Sequence, residues 1–143
     1  MSTPALNSGS VTPEERRQFL EPHRLAVLGV DRIGKPAHLS PVYYVLDGDE
    51  ILVSLTETRV KTRLIRRAGS LSLCVLHEEF PFPYLRVEGR GQIVAEGAVD
   101  VMIRIGGKMQ GRELPDSMRP AIEERARNER RVVLRLTPES YYP

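Results

Sequence analysis

Apolar and polar residues alternate with a period of two in several short runs of this chain, and only a few stretches switch to helical spacing. Thr12-Pro13-Glu14-Glu15 is a helix start, with Thr12 as cap, Pro13 at the first helical position and Glu15 closing a capping box. That helix is expected to reach about Leu20, to pack Phe19 and Leu20 inward and to stop at Pro22. Residues 24–30, 37–46 and 50–55 read as three strands in direct succession. Short turns join them, at 31–36 and at Asp47-Gly48-Asp49, so they form an antiparallel meander. The third strand breaks at Thr56-Glu57-Thr58 and gives way to a short helix with Val60, Leu64 and Ala68 at helical spacing. Thr58 is expected to cap this helix and Gly69 to end it in a left-handed conformation.

The second half continues the pattern. In a strand over 71–76, Leu71, Leu73 and Val75 share one face and Ser72, Cys74 and Leu76 the other. Residues 77–83 are too rich in proline for regular structure and read as a protruding loop. A long strand follows over 84–94, with Gly89 and Gly91 as bulge or bend positions. Residues 98–104 suit a helix, 105–118 a glycine-bearing loop, 119–127 a second helix and 130–136 a last strand that Thr137-Pro138 ends. About six antiparallel strands with small helices make a mainly β protein, and closing the sheet into a barrel hides its edges. Residues 1–11 read as a mobile lead-in and 12–143 as a single domain.

Composition narrows the function. At 143 residues, 41% hydrophobic and 28% charged, the chain is an ordinary globular domain. A net charge of +2 is too small to argue for nucleic-acid binding, and the basic character is local, which points to a small anionic ligand. The lone Cys74 allows no internal disulfide, no apolar run is long enough to span a membrane, and the N-terminus shows no signal pattern. A cytoplasmic location is the expectation. His23, His38 and His77 are too scattered for a metal pattern, and no phosphate-loop or dinucleotide fingerprint occurs. Nothing in the spacing of Ser40, His38 and Asp47 supports a hydrolytic triad.

Three features carry chemistry. The helix after Thr58 holds Arg59, Lys61, Arg63, Arg66 and Arg67 and no acid. Arg66 and Arg67 lie where the helix dipole favours cations; Arg59 and Lys61 lie at the start, where it disfavours them. An anion seated there, against free N–H groups, the hydroxyls of Thr56 and Thr58 and two cations, resolves the conflict. A solvated basic face is the competing reading. Second, Pro41 interrupts His38-Leu39-Ser40-Pro41-Val42-Tyr43-Tyr44, which otherwise reads as a central strand; proline belongs at an edge or a bulge, where backbone groups can meet a planar polar ring. Third, Phe80, Phe82 and Tyr84 cluster in a stiff loop, although the whole chain has only five tyrosines, three phenylalanines and no tryptophan. They could pack on the barrel end, wall a ring system or touch a partner subunit.

These segments, in this order, resemble the flavin and deazaflavin oxidoreductases built on the split β-barrel of pyridoxamine-5′-phosphate oxidase. The resemblance runs from Phe19 to Leu136 through Arg24 to Leu28, Gly34 to Tyr44, Asp47-Gly48, Thr56 to Lys61 with Leu64, Leu71 to Val75, and Tyr84 to Gly89. It is closest to the actinobacterial branch of probable coenzyme F420-dependent enzymes. The resemblance implies a six-to-seven-stranded antiparallel split β-barrel of the FMN-binding type and a homodimer with cofactor sites at the subunit interface. It places His38, Ser40, Pro41, Val42 and Tyr43 along the cofactor ring and Thr56, Arg59 and Lys61 on its phosphate. Tyr84 and Arg86 would approach from the strand start, in their own or the partner's site. It implies hydride transfer between F420 and a small organic substrate, with FMN as the alternative cofactor and non-enzymatic flavin binding as the alternative role. F420 carries an acidic oligoglutamate tail besides its phosphate, and Arg63, Arg66 and Arg86 are the spare cations for it. The arginine-bearing C-terminal segment of the true pyridoxamine phosphate oxidases is not matched by Tyr141-Tyr142-Pro143, so vitamin-B6 oxidation is not expected.

Overall fold

The computed structural model describes residues 11–143; of the expected lead-in over 1–11, residues 1–10 lie outside them, and Val11 is buried against the core. The elements are α1 (Pro13–Leu20), β1 (Leu25–Arg32), β2 (Lys35–Asp47), β3 (Glu50–Thr56), α2 (Val60–Ala68), β4 (Ser70–Leu76), β5 (Tyr84–Val94), α3 (Ala98–Gln110), a 3-10 turn at Asp116–Met118, α4 (Arg119–Asn128) and β6 (Arg131–Tyr142). The six strands close into an antiparallel barrel in the order β1-β2-β3-β6-β5-β4.

Local chemistry explains the first element. Thr12 accepts the Glu15 N–H and the Glu15 carboxylate accepts the Thr12 N–H, so the capping box forms as the sequence requires. Phe19 and Leu20 are buried. The Tyr44 hydroxyl, inside the barrel, donates to the Leu20 carbonyl at 2.6 Å and ties α1 to β2.

Two hydrophobic layers organise the molecule. Inward residues such as Leu28, Tyr44, Val53, Leu73, Leu85 and Leu134 fill the barrel, closed at one end by Ile65 of α2. A second cluster lies outside it, where Val45, Leu52 and Val133 meet Ala98, Val101 and Ile105 of α3. The strands under α3 are apolar on both faces, hence Tyr44-Val45, Ile51-Leu52-Val53 and Val132-Val133-Leu134 are buried without alternation. Three cations fasten α3 to the barrel: Arg24 donates to the Met109 carbonyl, Arg104 to the Leu46 carbonyl, and Lys108 to the Tyr44 carbonyl at 3.2 Å while lying 4.0 Å from the Tyr44 ring centre. Burial pushes the Lys108 amine down to about 8.

Several sequence expectations need correction. The cap of α2 is Arg59, not Thr58, and no side chain caps it; the turn is tied instead by the Arg59 N–H and the Thr62 hydroxyl, both donating to the Thr56 carbonyl at 3.2 and 2.7 Å. The buried face of α2 is Thr62 and Ile65, with Leu64 partly buried, whereas Val60 and Ala68 are exposed. Pro41 makes no bulge. Its pairing with Val27 lies in unbroken register, and the proline is tolerated because that half of β2 has only β1 beside it.

The glycines of 105–118 do not break α3, which runs to Gln110 before Gly111 (φ 72°) ends it. Gly106 and Gly107 let the returning chain lie against the helix: a Cβ on Gly107 would sit 2.9 Å from the Arg112 carbonyl oxygen, and one on Gly106 2.8 Å from Leu114. The last strand does not stop at Pro138 but continues to Tyr142. Gly89 pairs with Pro138 and Glu88 with Ser140, so Glu139 is the extra residue of a bulge, and Gly89 stands where that bend comes closest.

A Cβ at Gly89 would lie 2.2 Å from the Thr137 carbonyl oxygen, whereas one at Gly91 would meet the movable methyl groups of Leu71, Leu134 and Ile65 at 2.6–3.1 Å. Gly91→Ala is expected to destabilise by about 1–3 kcal/mol, the usual cost of overpacking, and Gly89→Ala by more because backbone must move. Urea unfolding of the two variants checks the order.

Candidate functional site

β2 bridges two neighbours in turn. Its first half pairs with β1 as far as Tyr43, and it takes up β3 only from Tyr44 onward. From Lys35 to Tyr43 one edge of β2 therefore has no strand beside it, and this gap is the split in the barrel. A groove of about 340 Å³ opens there. Pro41, Val42 and Tyr43 form one wall, Met102, Ile105, Gly106 and Met109 of α3 the other, and Ser54, Lys61, Arg125 and Arg131 one polar end.

That end is built by charge. The first helical hydrogen bond of α2 runs from the Arg63 N–H to the Arg59 carbonyl at 3.4 Å, so the N–H groups of Val60, Lys61 and Thr62 precede it and have no helical acceptor. The Lys61 ammonium is half-buried and meets no carboxylate among the described residues. Burial holds its amine below the usual lysine range, and the charges of Arg59 and then Arg131 push it further down. Among the described residues, Glu129 is the acid that pairs with the two arginines lining this end. Its Oε1 accepts from Arg125 Nε at 2.9 Å and Arg131 Nε at 3.0 Å, and Arg131 also reaches the Ser54 hydroxyl at 3.4 Å. Two guanidinium groups thus share one carboxylate, and Lys61 and Arg59 add charge that no acid balances.

A second groove, of about 360 Å³, lies between α1 and the β2–β3 hairpin. It contrasts with the first: its Arg16 lies 4.0 Å over the Tyr141 ring, and Arg16 and Arg17 face Asp49 and Glu50 across it. It carries no comparable excess of one sign.

Of the residues singled out by sequence, the structure brings Pro41, Val42, Tyr43 and Lys61 to the first groove, with Thr56 and Arg59 in the turn beside it. His38 and Ser40 share the inner face of β2 with Val42 and Tyr44, where His38 Nδ1 and Ser40 Oγ are buried without a hydrogen-bond partner. Arg63 is exposed on α2, outside the groove. Arg66 is held by Glu57 at 2.9 Å. Tyr84 and Arg86 lie on β5, which two strands separate from β2 in the barrel order, and Arg86 sits 4.5 Å over the Tyr142 ring. They do not reach this groove within one chain.

Sequence reasoning missed Ser54, Arg125, Arg131 and the whole α3 wall. Met102, Ile105 and Met109 recur at helical spacing, and that signal was overridden by Gly106 and Gly107 within it and Gly111 after it. The polar lining comes from four separate elements and had no local signature.

An antiparallel barrel split along one strand, with a cluster of cations at the end of the split, is a split-barrel architecture. The model of the pyridoxamine 5′-phosphate oxidase family matches residues 12–143, and the chain belongs to that family. Among solved structures, a conserved hypothetical protein of Mycobacterium tuberculosis aligns with a TM-score of 0.81 at 17% identity, covering 96% of this chain and 88% of that one. A protein described as an F420 reductase aligns with a TM-score of 0.70 at 20% identity, covering 87% and 94%. A FAD-binding protein of Mesorhizobium loti aligns with a TM-score of 0.62 at 16% identity, covering 91% of each chain. At these identities the likeness establishes the fold. No curated protein sequence matches the chain.

The seat fixes a sign for pH. A bound anion favours protonated Lys61, whose amine titrates low when the seat is free. Affinity for an anion placed beside Lys61 would therefore be full below that depressed value and would weaken as pH rises through it. Lys61→Ala is expected to cost about 1.5–3 kcal/mol of that affinity, the scale of a charge-assisted hydrogen bond. Arg67→Ala should cost much less, and Lys61→Arg should flatten the pH dependence. Isothermal titration between pH 7 and 10 measures all three.

Proposed function

We propose that this protein binds a phosphorylated flavin-type cofactor in the split of its barrel, with the deazaflavin F420 as the first candidate, and acts as an oxidoreductase on a small organic substrate. The observation that carries the reading is Lys61: a half-buried ammonium beside Arg59 and Arg131, at the open start of α2, with no acid of its own. Phosphate fits that seat. The wall at Pro41, Val42 and Tyr43 leads away from it along the free edge of β2, where backbone groups can meet the polar rim of a ring. Met102, Ile105 and Met109 close the opposite side with apolar surface and keep water from the ring.

When bound, the cofactor supplies hydride transfer, and the protein supplies position and electrostatics. F420 stands first because the resemblance is closest to the F420-dependent branch and an F420 reductase shares the fold at 20% identity. FMN is the second reading, supported by the same phosphate seat and by a FAD-binding neighbour. A homodimer completes the proposal. The outward faces of β2, β4 and β5 expose Leu39, Tyr43, Leu76 and Tyr84, an apolar surface that a second copy can cover. Tyr84 and Arg86 can then reach the groove only from the partner.

Fluorescence titration of the purified protein with F420 and with FMN tests the reading. Low-micromolar binding of F420, with FMN weaker, is the expected result. A yellow protein that prefers FMN favours the second reading, and no micromolar binding of either cofactor overturns both. Tight binding without turnover of enones or quinones would assign a carrier role instead.

A further inference from the structure

The core stripe of α3 is Ala98, Val101 and Ile105, and helical spacing carries it on to Lys108. An ammonium therefore stands where the pattern calls for an apolar side chain. It is thinly served there. Nζ lies 3.2 Å from the Tyr44 carbonyl oxygen and 4.0 Å from the Tyr44 ring centre. It lies 3.5 Å from the Leu20 carbonyl oxygen, which already accepts from the Tyr44 hydroxyl at 2.6 Å. Burial disfavours its charge; Glu21, at the end of α1, partly offsets this, and Arg104 on α3 adds to it. The Tyr44 phenol on β2 stays neutral, its pKa raised by burial.

The segment around Lys108 is loosely built. None of residues 106–114 is buried. Gly106 and Gly107 weaken the helix, and the chain after Gly111 folds back on them, with the Arg112 N–H donating to the Gly107 carbonyl at 3.0 Å. Few buried apolar contacts mark a segment that opens locally at low cost. Ile105, buried in the outer cluster, is the firm anchor before it, and the exposed Arg24 ties it at the Met109 carbonyl. Gly106 and Met109 line the groove, so movement of this segment moves the groove wall.

We propose that residues 106–114 form a lid on the groove and that Lys108 keeps the lid able to open, because its charge is better solvated outside than between Leu20 and Tyr44. This goes beyond the cofactor reading and holds for any ligand of the groove. Lys108 does not line the groove; it is a positioning residue that acts through Gly106 and Met109. The sign is opposite to that of a fastening bond. With the lid closed the amine titrates at about 8, and with the lid open it regains the ordinary lysine value of 10.5. The open lid holds the proton more tightly, so protonation favours opening, and closure gains stability as pH rises from about 8 towards 10.5.

Hydrogen–deuterium exchange of the ligand-free protein tests this, read by mass spectrometry on peptides covering 106–114 and corrected for the intrinsic pH dependence of exchange. Between pH 7 and pH 9, opening of this segment in wild type should fall by up to about tenfold, while peptides of β3 and α4 stay unchanged. Lys108→Met, of similar size and uncharged, should exchange slowly at both pH values, and Lys108→Gln takes its place if that variant fails to fold. Lys108→Arg, charged throughout, should exchange fast at both. Lys61→Arg should keep the wild-type pH dependence. Faster exchange in the uncharged variant would make Lys108 a plain fastener and overturn the proposal. A wild-type series without pH dependence, or one that Lys61→Arg abolishes, would overturn it too. Failure to bind F420 or FMN bears on the cofactor reading alone.

Discussion

Lys61 is held by a helix start that repels it, beside two guanidinium groups, in a place too buried for water to screen it fully. Nothing in the packing of α2 requires a cation there. The buried face of that helix is Thr62 and Ile65. An anion bound beside Lys61 would relieve this repulsion, and on that the proposed cofactor binding rests. The remaining architecture follows from bringing that seat to the foot of a groove. The Thr56 carbonyl, bonded twice, fixes where α2 begins; the pairing of β3 with β6 brings Arg131 opposite Thr56; and the changeover of β2 from β1 to β3 opens the split beside them.

The second constraint is the cover on the outside of the barrel. Val45, Leu52 and Val133 point away from the interior and would be exposed without α3. Burying such side chains stabilises by roughly 1.5–3 kcal/mol each. The same helix turns Met102, Ile105 and Met109 toward the free edge of β2, so the element that hides this surface also builds the second wall of the groove. Ile105 belongs to both, which is how core packing sets the width of the site.

The β1–β2–β3 meander and the start of α1 were legible because they depend on near neighbours. The capping box at Thr12, the hairpin at Gly48 and the left-handed end at Gly69 are local chemistry, and the structure has all three. The place of Lys61 in the first turn of α2 was legible because helix boundaries are also local. What escaped was set by contacts distant in sequence. Gly106 and Gly107 read as breakers, yet they serve close approach of Leu114 and Arg112 within an unbroken helix. Pro138 read as a stop, yet the bulge at Glu139 carries the strand past it beside Gly89. Arg125 and Arg131 carry no motif at all; only the fold of α4 onto β6 brings them to Lys61. Tyr84 and Arg86 mark the opposite case, where the order of the barrel strands keeps residues of the expected site away from it within one chain.

The most direct test of the charge argument is the amide spectrum of 15N-labelled protein titrated with F420. The account expects the largest shifts at Val60, Lys61 and Thr62, with smaller ones along Pro41–Tyr43 by way of their neighbours' amides, and a downfield-shifted, protected Lys61 ammonium. Shifts that leave α2 untouched and gather instead around Arg16 and Tyr141 would contradict it.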